Sequence, residues 1–210
     1  MYMNEKFLNY ALQDEVTHIQ DGEEIIIKKQ DLGMLYLKTG KIVANDPCIC
    51  FEFDEFTISV APGEYPVHIS VAHIDDDRRV AFATMKFSDK NPVKWDMAFT
   101  DGEDLSKFEG TDNDKFFGYG VDSGTGGFMD KTIADKIVVE ELDLYEMFEK
   151  QFDDTYVYTY SYAMGNISGG TENEFIAFSS GYGDGTYPCY FGFDENGEVC
   201  ALVTDFMVLD

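Results

Sequence analysis

Residues 65–87 read YPVHISVAHIDDDRRVAFATMKF, and this stretch decides the fold class. Val67, Ile69 and Val71 alternate with small or polar residues, which is the two-residue period of a β-strand with one buried face. The polar run at 75–78 is typical of a tight turn, and the apolar run after it predicts a returning strand. The stretch therefore indicates an antiparallel hairpin.

The flanking sequence extends the antiparallel pattern in both directions. Further strand-like runs occur at 25–28, 34–47, 48–53, 56–60, 95–99, 157–164 and 175–206, and Asp194–Gly197 has the chemistry of a hairpin turn. Helical spacing is confined to residues 5–12 and to an insert around 130–152. We therefore expect an α+β fold, mostly antiparallel β-sheet in a sandwich or strongly curved sheet, with a helical insert and a short N-terminal helix.

The length of 210 residues predicts one domain over 1–210, because no linker or repeat divides the chain. The net charge of −26 is the unusual quantity. It excludes unaided binding to nucleic-acid phosphates or to an anionic membrane surface, since both require clustered lysine and arginine. The excess is greatest at the C-terminal end, where residues 151–210 contain ten acidic residues and no lysine or arginine.

The cysteines and the N-terminal residues bear on the compartment. Cys48, Cys50, Cys189 and Cys200 form no CxxC pair and lie apart from the three histidines in sequence, so neither zinc binding nor a disulfide framework is indicated. The first residues lack the basic and apolar regions of a signal peptide, and no run of residues is apolar enough to span a membrane. We therefore expect a cytoplasmic protein with reduced thiols.

Two glycine-rich segments are the strongest candidates for a site. The first is GYGVDSGTGGFMD at 118–130, and the second is SSGYGDGTYP at 179–188. Glycine lets backbone N–H groups approach an anion, and carboxylates beside hydroxyls suit a hard cation such as Mg²⁺ or Ca²⁺. The candidate ligand or partner residues in and near these segments are Asp122, Ser123, Thr125, Asp130, Ser180, Asp184, Tyr187 and Asp205.

The same segments also have a purely structural interpretation, which the sequence leaves open. Asp130 is placed to cap the helix that follows Phe128, and Asp184-Gly185 is typical of a hairpin turn. An aspartate between glycines commonly accepts hydrogen bonds from its own loop, so we expect this of Asp184. We also expect the two segments, 121–130 and 179–187, to be neighbours in space. The sequence predicts no catalytic set and no cofactor. Binding of Mg²⁺ or Ca²⁺ by the carboxylates named above is the one alternative.

A third feature is the acidic, loop-like stretch at 101–117. Acidic faces speed and orient association with basic partners. The residues that we expect on such a partner face are Asp101, Glu103, Asp104, Asp112 and Asp114.

Three blocks of the chain resemble a bacterial family, domain-of-unknown-function family 4241. They are GKIVANDPCICFEFDEFTISVAPGEYPVHISVA at 40–72, VDSGTGGFMD at 121–130 and SSGYGDGTYPCYFGFDENGEVCALVTDF at 179–206. The family-like region therefore spans about 40–206. The resemblance implies a bacterial, cytosolic, single-domain protein, and it supplies no reaction.

Two functions remain open from the sequence. The favoured one is an acidic partner-binding protein of the immunity or inhibitor type, acting on a basic protein such as a nuclease toxin. The alternative is an enzyme, or a protein that binds a small ligand or metal through carboxylates at the two glycine-rich turns. Because no catalytic set can be assigned, binding is favoured over catalysis. The aromatic strand at 157–164 could also pair in a dimer, and the oligomeric state is left open.

Overall fold

The computed structural model describes residues 3–49, 53–108 and 115–210. Within these ranges the helices are α1 (Glu5–Tyr10), α2 (Lys131–Glu140) and α3 (Leu144–Thr155), with a 3₁₀ turn at Leu105–Phe108. The strands are β1 (Glu15–Gln20), β2 (Glu23–Leu37), β3 (Ile42–Asn45), β4 (Gly63–Ile74), β5 (Asp77–Lys86), β6 (Lys94–Met97), β7 (Tyr119–Val121), β8 (Thr125–Asp130), β9 (Tyr162–Gly165), β10 (Phe175–Ser179), β11 (Gly185–Tyr187), β12 (Cys189–Phe193) and β13 (Val199–Asp205).

A curled antiparallel sheet of seven strands forms the larger layer, in the order β1-β2-β4-β5-β13-β12-β6. Its centre is the hairpin at 65–87, in which Val67 pairs with Met85 and Ile74 pairs with Asp77. The Asp194–Gly197 turn joins β12 to β13 as an antiparallel pair. The α+β class, the antiparallel sheet and both hairpins predicted from the sequence are confirmed.

A second antiparallel sheet, in the order β3-β8-β10-β9, lies between the large sheet and the helices. The alternation of side chains along β10 shows why this sheet lies in the middle. Ile176 and Phe178 face the main core that is shared with the large sheet, whereas Phe175 and Ala177 join the smaller core with α2 and α3. A strand buried on both faces is therefore apolar throughout. The two chain segments with glycine-rich sequence meet at one end of this small sheet.

The helical insert is confirmed, and each helix begins where the sequence supplies a cap. The Asp130 side chain accepts from Thr132 N at the start of α2, and Asp143 accepts from Glu146 N at the start of α3. The backbone of Glu141 adopts a left-handed conformation that ends α2. The N-terminal helix is also confirmed, as α1 with Phe7 and Leu8 buried.

Several local expectations are wrong because tertiary pairing overrides strand propensity. Residues 56–60 form only isolated bridges, such as Phe56 with Thr100, and the strand expected at 157–164 begins at Tyr162. The Thr39-Gly40 turn exists, but it carries the chain from β2 in the large sheet to β3 in the small one. Of the run at 48–53, residues 50–52 lie outside the described residues, and Cys48 is in a turn.

Candidate functional site

The two glycine-rich segments are neighbours in space, as the sequence predicted. Strand β7 pairs with β11, which places Gly120 opposite Thr186. Strand β8 pairs with β10, which places Thr125 opposite Ser179. Because β11 pairs with β7 and not with β10, the expectation that Asp184-Gly185 is a hairpin turn is wrong.

Tight packing explains part of the glycine content. Gly181 has a positive φ of 53°, and a Cβ there would lie 3.0 Å from the Cβ of Phe206. Gly126 faces the buried hydroxyl of Tyr119, and a Cβ there would lie only 2.6 Å from that oxygen. The glycines therefore allow the segments to pack closely onto the core. This supports the structural interpretation for these two positions.

A cavity of about 770 Å³ opens beside the β7–β11 pair. We call it the junction cavity. It is of the size that takes small organic ligands. Its described lining combines apolar, carboxylate and glycine residues: Ala44, Asn45, Asp46, Ile49, Phe53, Asp54, Phe56, Ala98, Thr100, Glu103, Gly118, Tyr119, Gly120, Val121, Asp122, Asp184, Gly185, Thr186 and Cys189.

Asp46 is the organising carboxylate of this wall. Its side chain accepts from the backbone N–H groups of Asp122 (2.9 Å) and Ser123 (2.7 Å), and from the hydroxyl of Ser123 (2.7 Å). It also accepts from Cys48 N at 3.0 Å. The buried carboxylate therefore fixes the turn that carries Asp122. The sequence analysis missed Asp46, because Asp46-Pro47 indicated only a turn.

The neighbouring residue, Asn45, differs from Asp46 because its side chain forms no hydrogen bond with a described residue. It is 2% exposed and lines the junction cavity. Among the described residues, neither its Oδ1 nor its Nδ2 has a hydrogen-bond partner. A buried amide without a partner costs free energy, commonly about 1–3 kcal/mol. Such a group calls for an explanation, and a role in ligand binding is one. Sequence reasoning gave no signal for Asn45.

Of the ligand candidates in and near the glycine-rich segments, Asp122 and Asp184 line the cavity. Both are exposed, and no described residue donates a hydrogen bond to either carboxylate. The expectation that Asp184 accepts hydrogen bonds from its own loop is therefore wrong. In this loop the acceptor is instead the Gly183 carbonyl, which accepts from Ser180 Oγ (2.9 Å) and Tyr187 Oη (2.7 Å).

The other sequence candidates lie outside the described lining. Asp130 is fully buried at the far end of β8 and accepts from Thr39 N at 2.7 Å and from Thr132 N at 3.0 Å. This confirms the predicted helix cap. Asp205 is buried and accepts from Met207 N at 2.8 Å. The remaining candidates belong to the surrounding framework: Ser123, Thr125, Ser180 and Tyr187.

The acidic stretch is described only in part, since Asp112 and Asp114 lie outside the described residues. Asp101 is exposed. Glu103 is half-buried, lines the cavity and accepts from Thr100 N at 2.7 Å. Asp104 accepts from Ser106 N at 3.0 Å, and hydrogen bonds from Ser106 lower the pKa of the Asp104 carboxyl. Two of these acids therefore order their own loop.

A protein-family comparison covers the whole of this site. A family model described as a protein of unknown function (DUF4241) matches residues 35–204. The chain belongs to the DUF4241 family. No curated protein and no solved structure matches this chain. Every described residue that lines the junction cavity lies within the family match, so the cavity is formed by the DUF4241 region itself.

The described thiols at and near the cavity of this DUF4241 protein are poorly suited to nucleophilic chemistry. Burial raises the pKa of Cys189, on the cavity wall, to about 12, and burial likewise raises the pKa of Cys48 to about 12. A thiol with so high a pKa remains protonated at neutral pH and is a weak nucleophile. Cys48, Cys189 and Cys200 are free thiols, whereas Cys50 lies outside the described residues.

Among the described residues, no group of three or more histidine, cysteine or acidic side chains is arranged to hold a metal ion. Within those residues, no helix is long and apolar enough to cross a membrane. The junction cavity is a pocket whose described lining contains hydrogen-bonding groups and carboxylates.

Proposed function

We propose that this protein binds a small organic ligand in the junction cavity. One observation carries the proposal: Asn45 is 2% exposed, lines the cavity, and has no hydrogen-bond partner among the described residues. A folded chain rarely leaves a buried amide unsatisfied. Both polar atoms of the amide expose less than 1 Å², so a ligand that displaces the side chains covering Asn45 would supply the missing acceptor and donor.

The framework around Asn45 supports this proposal. Asp46 holds Asp122 and Ser123 by three hydrogen bonds, so that one wall is fixed before any ligand enters. The pairing of β7 with β11 fixes the strand that leads into this turn. A preformed pocket lowers the ordering cost of binding. The polar side chains that a ligand can reach directly are the exposed carboxylates of Asp54, Asp122 and Asp184.

Binding is favoured over catalysis by the chemistry of the wall. Burial raises the pKa of the Cys189 thiol to about 12, which leaves it protonated. The described part of the lining contains no histidine, which is the commonest general acid or base. Catalysis by the carboxylates of the lining is the alternative form of this proposal. It can be tested once a ligand has been found.

A fragment screen by ¹H–¹⁵N NMR tests the proposal. The probes are small amines, alcohols, amides and carboxylates at millimolar concentration, and we expect some of them to shift the amide signals of Gly120 and Thr186. The variant Gly120→Leu should weaken the binding of those fragments at least tenfold. A Cβ at Gly120 would meet no atom within 4 Å, and its backbone lies outside the left-handed region, so the added side chain occupies open space.

The matched control is Glu23→Leu, which adds the same side chain at an exposed position of β2. It should leave fragment binding unchanged. If no fragment shifts a cavity signal, or if Gly120→Leu and Glu23→Leu affect binding equally, the proposal is wrong.

The charge distribution favours a second candidate function, namely binding of a basic protein partner by an immunity-type or inhibitory protein in the bacterial cytoplasm. The net charge is −26, and residues 151–210 contain no lysine or arginine. Such a field accelerates association with a basic surface and makes it salt-dependent.

The test uses the products of genes adjacent to this protein's own gene, each purified and titrated at 50 mM and 300 mM NaCl. We expect one basic product to bind, with an affinity that falls at least tenfold at the higher salt concentration. Association that does not change with salt, or the absence of association, would remove this candidate.

A further inference from the structure

We infer that the ligand of the junction cavity is a small organic cation with an apolar body. This inference rests on the proposed function and names the class of ligand. Five carboxylates line the cavity: Asp46, Asp54, Glu103, Asp122 and Asp184. The described lining contains no lysine, arginine or histidine. The wall therefore favours positive charge and disfavours anions.

The carboxylates divide into those already used and those left free for a ligand. Asp46 binds the turn at Asp122 and Ser123, and Glu103 binds Thr100. Asp54, Asp122 and Asp184 are exposed, and no described residue donates a hydrogen bond or forms an ion pair to them. Three unpartnered carboxylates in the lining of one cavity give its wall a negative potential, which attracts a cation.

The deeper wall of the cavity is apolar. Phe56 is 8% exposed, Val121 is 4% exposed and Ala98 is 3% exposed, and each lines the cavity. Phe56 is held edge-on against Phe191, with 5.8 Å between ring centroids. A fully hydrated inorganic ion gains nothing from such a wall, whereas an aliphatic or aromatic body does.

Asn45 adds a requirement for hydrogen bonding in both directions. Its Oδ1 accepts, which suits an ammonium or guanidinium N–H, and its Nδ2 donates, which requires an acceptor on the ligand. Asn45 has neither partner among the described residues. The ligand therefore combines a cationic group, one acceptor such as a hydroxyl, and an apolar body.

Three probes of one shape isolate the effect of charge: tyramine, tyrosol and 4-hydroxyphenylacetate. They share a phenol ring and differ in carrying a cationic, neutral or anionic end. In NMR titrations at pH 7 and 50 mM NaCl, we expect tyramine to bind at least tenfold more tightly than tyrosol. We expect 4-hydroxyphenylacetate to bind more weakly still.

The double variant Asp122→Asn/Asp184→Asn should weaken tyramine binding at least tenfold and leave tyrosol binding unchanged, because it removes charge while keeping shape. The matched control is Asp21→Asn/Glu24→Gln, at an exposed position of the β1–β2 turn and an exposed position near the start of β2. It removes the same charge far from the described lining and should change tyramine binding less than twofold.

The outcomes separate the two proposals. If tyrosol or 4-hydroxyphenylacetate binds as tightly as tyramine, the cationic class is wrong while the cavity remains a binding site. If the two double variants weaken tyramine equally, the effect comes from net charge and the inference is also overturned. If none of the three probes and no fragment shifts a cavity signal, both this inference and the proposed function fail.

Discussion

The two ends of the first glycine-rich segment differ in how their polar groups are satisfied. At the closed end, which we define as Asp130 with Thr39 and Thr132, one fully buried carboxylate accepts from two backbone N–H groups and two hydroxyls. At the open end, which we define as Asn45, Asp122 and Asp184, the described residues supply no hydrogen-bond partner for any of the three side chains. Satisfied groups hold the fold, and unsatisfied groups at a cavity remain free to bind.

The largest expected effect is at the closed end. Asp130→Ala removes the cap of α2 and leaves the donors of Thr39 and Thr132 that face this buried carboxylate unpaired. We expect a loss of about 3 kcal/mol in the free energy of unfolding, from a cap of about 1 kcal/mol and unpaired donors of about 2 kcal/mol. Urea unfolding measures this. A loss below about 0.5 kcal/mol would show that the closed end does not hold the fold.

Asp46→Ala extends the comparison to a carboxylate that lies beside the open end but accepts several hydrogen bonds. It accepts from the backbone of Asp122, Ser123 and Cys48. We expect a loss of about 2 kcal/mol in the free energy of unfolding, since several donors lose a charged acceptor. Hydrogen exchange at Asp122 and Ser123 should rise as well. Unchanged exchange at these two amides would contradict the role given to Asp46.

The closed end was predictable from the sequence, whereas the open end was only partly so. Asp130 stands directly before a helical pattern, and a cap is a local property of the chain. The hairpins at 65–87 and 189–205 are local in the same sense, and both were predicted. Helix starts and tight turns depend on neighbouring residues, which the sequence displays.

The cavity depends instead on contacts between distant segments. Its described wall combines residues 44–46, 98–103, 118–122 and 184–189, which meet only when the two sheets pack. The sequence singled out Asp122 and Asp184 because they stand among glycines. Asn45 lies in an ordinary strand, and the absence of a partner for it is a property of the packed structure alone.

A smaller effect on the free energy of unfolding is expected from His68, a buried side chain whose ring makes one hydrogen bond. Its Nε2 donates to the carbonyl of Ala11 at 2.8 Å. Burial lowers the pKa of His68 below its usual 6.5, the charges of Lys29 and Lys86 act in the same direction, and Asp31 opposes them. The unfolded chain therefore binds the proton more readily than the folded one, so stability is complete above about pH 6.5 and falls as the pH drops below it.

Urea unfolding at pH 7.0 and pH 5.5 checks this prediction. His68→Gln should reduce the stability difference between the two pH values. His73→Gln is the control, because His73 is less buried and burial lowers its pKa as well. If His73→Gln removes more of the pH dependence than His68→Gln, the assignment to His68 is wrong.

The smallest expected effect is at the carboxylates of the open end. Asp122→Asn and Asp184→Asn should each change the free energy of unfolding by less than about 0.5 kcal/mol, because both side chains are exposed and unpartnered. The sequence alone led to the opposite expectation for Asp184. A loss above about 1 kcal/mol in either variant would place that carboxylate among the groups that hold the fold.

The unfolding free energy of Asn45→Leu shows whether the amide of Asn45 serves a ligand or the fold. Leucine is close to asparagine in shape and has no polar atom to satisfy. If Asn45 is kept for a ligand, removing its unpartnered amide should raise the free energy of unfolding by about 1 kcal/mol in the absence of ligand. A fall of about 1 kcal/mol or more would show that the amide of Asn45 supports the fold, and would contradict the account of the junction cavity as a binding site.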